Sequence, residues 1–203
     1  MQIEKYEKKG NGNYLLYLSD GRKFKINEDV ILKYKLLYKK EIDEFLLEEI
    51  LQDNNNYDIY NRCVKYISVR LRSINEMKNY MQRLNVSPEL IDKVITKLIN
   101  NNLLNDELYT KAYIKDKLNF TSKGPLLIEA DLKKDNIDLT IINRYMALID
   151  PKIIDEKINK QIGKLINSHK NKPNLRNKIY SNLMNLGYPY SQIIENLNKY
   201  DLK

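Results

Sequence analysis

Shifted by 51 residues along itself, the chain lays three copies of one apolar pattern over each other, and this repeat limits what it can fold into. Met77, Ile128 and Ile179 share one column, and Met81, Leu132 and Leu183 share the next. Val86, Ile137 and Tyr188 follow, then Ile91, Ile142 and Ile193, then Ile95, Met146 and Leu197, without a gap. Just before the third column stands Asn85, Asn136 or Gly187. Gly and Asn tolerate the left-handed conformation that ends a helix, and the residue after such a stop packs against one five places earlier. Those pairs are Val86 with Met81, Ile137 with Leu132 and Tyr188 with Leu183, apolar in every copy. The spacing therefore predicts a helix, a left-handed stop and a second helix in each repeat.

The helix starts agree. Ser73-Ile74-Asn75-Glu76 is a capping box, in which Glu76 reaches back to the free amide of Ser73. Ser87-Pro88 puts a cap residue before a proline at the first helical position, and Asp138 and Tyr188-Pro189 begin the corresponding helices. An amphipathic segment precedes each pair: Tyr60, Val64 and Ile67; Tyr109, Tyr113 and Ile114; Ile158, Ile162 and Leu165. The expectation is a mostly α fold of three tandem three-helix repeats, at 57–104, 105–150 and 151–203. One repeat has little core, so neighbours stack to bury more of each apolar face. Such an array is expected to be monomeric, elongated and curved, with a radius of gyration above the roughly 17 Å of a compact globule of this length.

Residues 1–56 follow another pattern. Tyr14-Leu15-Leu16-Tyr17-Leu18 and Lys23-Phe24-Lys25-Ile26 flank Asp20-Gly21, which predicts a hairpin closed by a type I′ turn. Gly10-Asn11-Gly12 offers a second turn that adds residues 2–8 as a third strand. From Asn27 the pattern becomes helical, with Val30, Ile31 and Tyr34 on one face, then Leu46, Leu47, Ile50 and Leu51 in a second helix. Asp53-Asn54-Asn55-Asn56 reads as a linker. The repeats are thus preceded by a small β-hairpin/helix extension, too short for a large core of its own.

A search for chemistry finds no catalytic residue, no metal ligands and no cofactor site. The one histidine, His169, reads as solvated at a polar helix end, and no nucleophile motif accompanies it. Cys63 lies on an apolar helix face as a small core residue, and one Cys with one His cannot build a zinc site. There is no Walker or dinucleotide loop. Of the 16 tyrosines, those at helical spacing, such as Tyr109 and Tyr113, read as core rather than as stacking platforms. A lone cysteine fits a reducing cytoplasm, and no apolar run is long enough to span a membrane. The chain is read as a binding protein, not an enzyme.

Charge indicates where it binds. The formal charge is +8, but residues 1–56 hold 10 basic and 11 acidic side chains, whereas residues from Pro151 onward hold 10 and 4. A basic surface favours polyanions such as single- or double-stranded DNA, held weakly and in a salt-sensitive way. Candidate contacts are Arg70 and Arg72 at the end of the first repeat's leading helix, Lys111, Lys115 and Lys123 in the second repeat, and Lys164, Lys170, Lys172, Arg176 and Lys178 in the third. The competing reading pairs Arg70 and Arg72 with nearby acids and leaves the lysines to solvate the surface.

Arg72-Ser73-Ile74-Asn75-Glu76-Met77 resembles the Arg-Ser-x-x-Glu-Leu signature of RecX recombination regulators. Asn101-Asn102-Leu103-Leu104-Asn105-Asp106 is similar to their Gly-x-Leu/Ile-x-Asp turn, and Lys123-Gly124-Pro125 to their Lys-Gly-Pro helix opening. The leader with Asp20-Gly21 resembles the extension of RecX proteins from low-GC Gram-positive bacteria and relatives. Met77 replaces the usual Leu, and Asn102 stands where Gly is common. The resemblance implies a cytoplasmic modulator that lies in the groove of the RecA filament and represses its recombinase, ATPase and coprotease activities, within DNA repair, homologous recombination and the SOS response. These motif residues are mainly caps and turns, so they say little about contacts. The alternative is a general nucleic-acid-binding repeat protein without direct RecA contact.

Overall fold

A computed structural model describes residues 1–168 and 174–201. The chain divides into two compact units, one of Met1–Arg70 with Tyr80–Leu103, the other of Leu71–Asn79 with Leu104–Lys203. Among the described residues, a three-stranded antiparallel sheet in the order β1-β2-β3 is followed by ten α-helices.

In the first unit, β1 (Ile3–Gly10), β2 (Asn13–Leu18) and β3 (Lys23–Asn27) form the sheet, with the expected turn at Gly10-Asn11-Gly12. Leu16, Leu18 and Ile26 point inward and pack on α1 (Glu28–Lys33) and α2 (Glu44–Val69) through Val30, Ile31, Leu47 and Ile50. The second hairpin differs from expectation. Only Gly21 has positive φ, at 84°, and not Asp20. The Gly21 amide donates to Leu18 O at 2.9 Å, and the Leu18 amide donates to Arg22 O at 3.0 Å. This is a three-residue connection with a glycine bulge rather than a two-residue type I′ turn. The physical cause lies just ahead of β1: Gln2 O accepts from the Ser19 amide, and Ser19 Oγ accepts from the Gln2 amide, both at 2.9 Å, which holds Ser19 against the start of the first strand.

The linker reading at Asp53–Asn56 is also corrected. These residues lie inside α2, so the boundary expected at residue 56 falls within a helix. Three successive asparagines are poor helix formers, but burial overrides that preference. Leu47, Ile50 and Asn54 line one buried face that runs into the asparagine run, and Ile59 and Cys63 beyond it are buried on the opposite side of the helix. Asn54 Oδ1 accepts from the Asn27 amide at 2.8 Å, and its Nδ2 donates to Lys25 O at 3.0 Å. The C=O of one residue and the N–H two residues on form the pair that a parallel strand would bridge. One carboxamide therefore caps part of the edge of β3.

The left-handed stops occur as the repeat predicts. α3 (Ile74–Arg83), α6 (Pro125–Lys134) and α9 (Leu175–Asn185) end near Asn85, Asn136 and Gly187, with φ of 56°, 55° and 80°. The amides of Val86, Ile137 and Tyr188 donate to the carbonyls of Met81, Leu132 and Leu183, each at 3.2 Å, which are the long closing bonds of Schellman stops. A fourth stop of this kind ends α4 (Pro88–Asn100): Asn102 has φ 56°, and the Leu103 amide donates to Leu98 O at 2.9 Å. The capping box closes in both directions, Glu76 N to Ser73 Oγ at 3.0 Å and Ser73 N to Glu76 Oε2 at 3.3 Å.

The second unit carries α5 (Asp106–Phe120), α6, α7 (Leu139–Met146), α8 (Pro151–Ser168), α9 and α10 (Tyr190–Leu197). Ile128, Leu132, Ile137 and Ile142 bury with Tyr109 and Ile114, while Ile179, Leu183, Tyr188 and Ile193 bury with Ile154, Ile158 and Ile162. The start of α6 docks directly on the third stop. The Gly124 amide donates to Leu186 O at 2.6 Å, and the Leu126 amide donates to Gly187 O at 3.0 Å. A Cβ on Gly124 would lie 2.5 Å from Gly187 O, and one on Gly187 would lie 2.7 Å from Leu127 N. Glycine at both positions thus permits backbone to approach backbone, a demand the 51-residue alignment does not reveal. Tyr188 completes this joint: its hydroxyl donates to Ser122 O at 3.1 Å, and burial pushes its pKa up to about 12.

Candidate polyanion-binding face

Nucleophiles and metal ligands give no centre to build from. Cys63 is fully buried, and burial pushes its thiol up to about 11, away from the reactive thiolate. A disulfide reagent is therefore expected to label Cys63 at the rate of unfolding; rapid labelling of the native protein would contradict its burial. His169 lies outside the described residues. Among the described residues no group of three or more His, Cys, Asp and Glu is placed to hold a metal ion, and no helix is long and apolar enough to cross a membrane. Tyr109 is buried, and the half-buried Tyr113 donates from its hydroxyl to Asp131 at 2.8 Å, so both serve the core of the second unit.

The basic candidates separate by their surroundings. Arg72 has a side chain only 11% exposed, beside Glu76 of the capping box, and so has little surface to offer a partner. Lys123 pairs with Asp131, which Tyr113 also engages. Arg176 donates to Leu197 O at 3.2 Å and Asn198 Oδ1 at 2.6 Å, and thereby caps the end of α10. These three act within the fold. Arg70 is exposed at the end of α2, and Lys178 is exposed on α9. Lys170 and Lys172 lie outside the described residues. Lys111, Lys115 and Lys164 remain exposed, and none of the ion pairs among the described residues includes them.

These last three border two adjoining clefts in the second unit. The first, of about 340 Å³, has Lys111 and Lys115 of α5 on its rim and Tyr145, Leu148 and Ile153 among its walls. Leu148 is 72% exposed, so apolar surface stands open beside the two cations. The second cleft, of about 210 Å³, lies between the end of α5 and α8 and shares Leu118 and Asn119 with the first. Its walls bring together Phe120, Ser122, Lys157, Lys160, Gln161 and Lys164. Lys157 Nζ donates to Leu118 O at 2.6 Å and Thr121 O at 2.7 Å, and Gln161 Nε2 donates to Ser122 Oγ at 2.8 Å. These bonds tie α8 to the turn after α5 and hold the cleft in shape. Desolvation, then the charge of Lys160, lowers the Lys157 pKa.

Lys157, Lys160, Phe120 and Leu148 were absent from the sequence candidates. The first two carried a readable signal, since with Lys164 they recur at helical spacing along α8. Phe120 and Leu148 carried none, because an apolar residue near a helix end reads as core until its neighbours are known.

The comparisons with known proteins agree with this architecture. The family model of the RecX first three-helix domain matches residues 60–98. A regulatory protein RecX of Streptococcus sanguinis (strain SK36) is 33% identical over 196 residues, spanning 95% of this chain and 74% of that protein. A regulatory protein RecX of Listeria innocua is 28% identical over 184 residues, 90% of this chain and 68% of its relative. Of solved structures, a regulatory protein RecX superposes with a TM-score of 0.81 at 24% identity, covering 98% of this chain and 99% of that one. RecX from Lactobacillus salivarius superposes at 0.67 with 31% identity, over 74% of this chain and 99% of its own. With nearly its full length aligned at this identity, and with the sheet and helices of a solved relative, the chain belongs to the RecX family of regulatory proteins.

Proposed function

We propose that the protein acts in the cytoplasm as a regulator of RecA, binding the recombinase filament in its helical groove near the DNA and repressing its activities. Membership of the RecX family supports the partner. The observation that carries the binding mode is the face around the two clefts, where Lys111, Lys115, Lys160 and Lys164 are exposed and belong to none of the ion pairs among the described residues, beside exposed apolar side chains. Such lysines repel one another and contribute nothing to folding, so an external polyanion or acidic protein surface is their natural counterpart. A chain anchored across neighbouring protomers would oppose the rearrangements that accompany ATP hydrolysis.

The test is RecA ATPase on single-stranded DNA with increasing amounts of the protein. Saturating protein is expected to lower the rate. Replacing Lys111, Lys115, Lys160 and Lys164 with alanine should weaken repression while leaving the melting temperature nearly unchanged, because exposed charges add little to stability. An ATPase rate unmoved by the parent protein would refute the proposal. A second reading, in which the protein only competes for DNA, draws on the same lysines. It predicts no co-sedimentation with RecA filaments on short strands already fully coated, whereas direct filament binding predicts co-sedimentation.

A further inference from the structure

The cleft between the end of α5 and α8 combines features that no partner-neutral solvated surface requires. Phe120 is 81% exposed at its edge; Phe45 is nearly as exposed, but it lines neither of the two lysine-bordered clefts. A phenyl ring left in water forgoes the burial that its size makes favourable. Lys160 and Lys164 stand one helical turn apart, about 6 Å along the axis of α8, a separation within the span of neighbouring phosphates on one strand. Behind them, Lys157 spends two of its three ammonium protons on the carbonyls of Leu118 and Thr121 and keeps the third. Gln161 and Ser122, bonded to each other, fix the cleft in place before any ligand arrives.

We propose that this cleft is a binding subsite for single-stranded nucleic acid, in which an unpaired base stacks on Phe120 and the adjoining phosphates lie against Lys160 and Lys164. An exposed ring stacks on the face of any base, but only where that base is not already stacked in a duplex, so the subsite reads strandedness rather than sequence. Charge complementarity and an open aromatic together favour a nucleic acid over an acidic protein segment, which would use the lysines and leave the ring without a planar partner. The inference rests on the reading of this face as the polyanion surface, and not on RecA.

The experiment uses the full chain and fluorescein-labelled oligonucleotides, without recombinase, so its outcome is independent of the ATPase test. The parent is expected to bind oligo(dT), with affinity falling as salt rises. Phe120→Ala should weaken that binding by about 5- to 100-fold, and Phe120→Trp should retain it. Lys160→Ala with Lys164→Ala should flatten the salt dependence by about 0.7 in slope for each phosphate no longer neutralised. The decisive comparison is an abasic strand of equal length and a duplex of equal charge, for which Phe120→Ala should make no difference. Because Phe120 is exposed, its replacement should leave the circular dichroism and melting temperature unchanged. The proposal is overturned if the parent binds no oligonucleotide at low salt, if Phe120→Ala binds oligo(dT) as tightly as the parent, or if the variant loses as much on the abasic strand as on oligo(dT). It is also overturned if the variant loses affinity for polyglutamate and not for oligo(dT), which would make the cleft a site for acidic protein.

Discussion

Valine in place of Gly187 should destabilise the second unit by about 2–5 kcal/mol, well beyond the cost of a left-handed residue alone. Left-handed strain contributes roughly 1–2 kcal/mol, and the remaining 1–3 kcal/mol is overpacking, because a Cβ there would lie 2.6 Å from Leu127 Cγ and 2.7 Å from its amide nitrogen. The informative comparison is between two exchanges of the same residue types. Asn136→Gly removes a side chain from an exposed stop at φ 55° and should change stability by less than about 0.5 kcal/mol. Gly187→Asn keeps a residue type that tolerates the conformation, yet it introduces the steric overlap and should cost about 1–3 kcal/mol. Urea midpoints of the three variants measure these differences. If Gly187→Asn were as harmless as Asn136→Gly, the close docking of α6 on the third stop would be disproved, and left-handed geometry alone would explain the glycine.

Asn54→Ala should loosen the first unit by about 2–4 kcal/mol, a large effect for one residue within a polar run. Its carboxamide satisfies the Asn27 amide and the Lys25 carbonyl, and a buried backbone group left without a partner costs roughly 1–3 kcal/mol. Amide exchange resolves this locally. Residues of β3 should exchange about 30- to 1,000-fold faster in the variant, taking each 1.4 kcal/mol as a factor of ten. Replacing the neighbouring Asn55, which is exposed within the same helix, should leave them almost unchanged. Equal effects at both positions would mean that general helix propensity, not the bridge to β3, holds this segment in α2.

The candidate site was legible only in part. The exposure of Lys111, Lys115 and Lys164 was legible because each lies on a helix away from the apolar columns, where a lysine faces solvent. Arg176 looked the same in sequence, but its partners are Leu197 and Asn198, at the end of another helix. Lys123 is paired with Asp131 of α6. The Arg72 contact with Glu76 had a sequence signal, since Glu76 lies four residues away and belongs to the capping box. Phe120 and Leu148 became visible only once the helices left them uncovered.

Residue order along the chain was enough for the three-fold repeat, its left-handed stops and its helix caps, because each rests on bonds closing within six residues, such as Tyr188 N to Leu183 O or Glu76 N to Ser73 Oγ. Local chemistry alone decides those, so composition and spacing suffice. The rest was settled by packing across the fold. The Asp20-Gly21 connection took its shape from Gln2, just ahead of β1, and the asparagine run became helix because Asn54 found the edge of β3. Gly187 faces Gly124 across 63 residues, and the cleft beside Phe120 exists only because α8 returns to the end of α5. In each of these cases the deciding partner is distant in the chain, and burial or a satisfied backbone group outweighs the local preference of a few tenths of a kcal/mol that the residues themselves express.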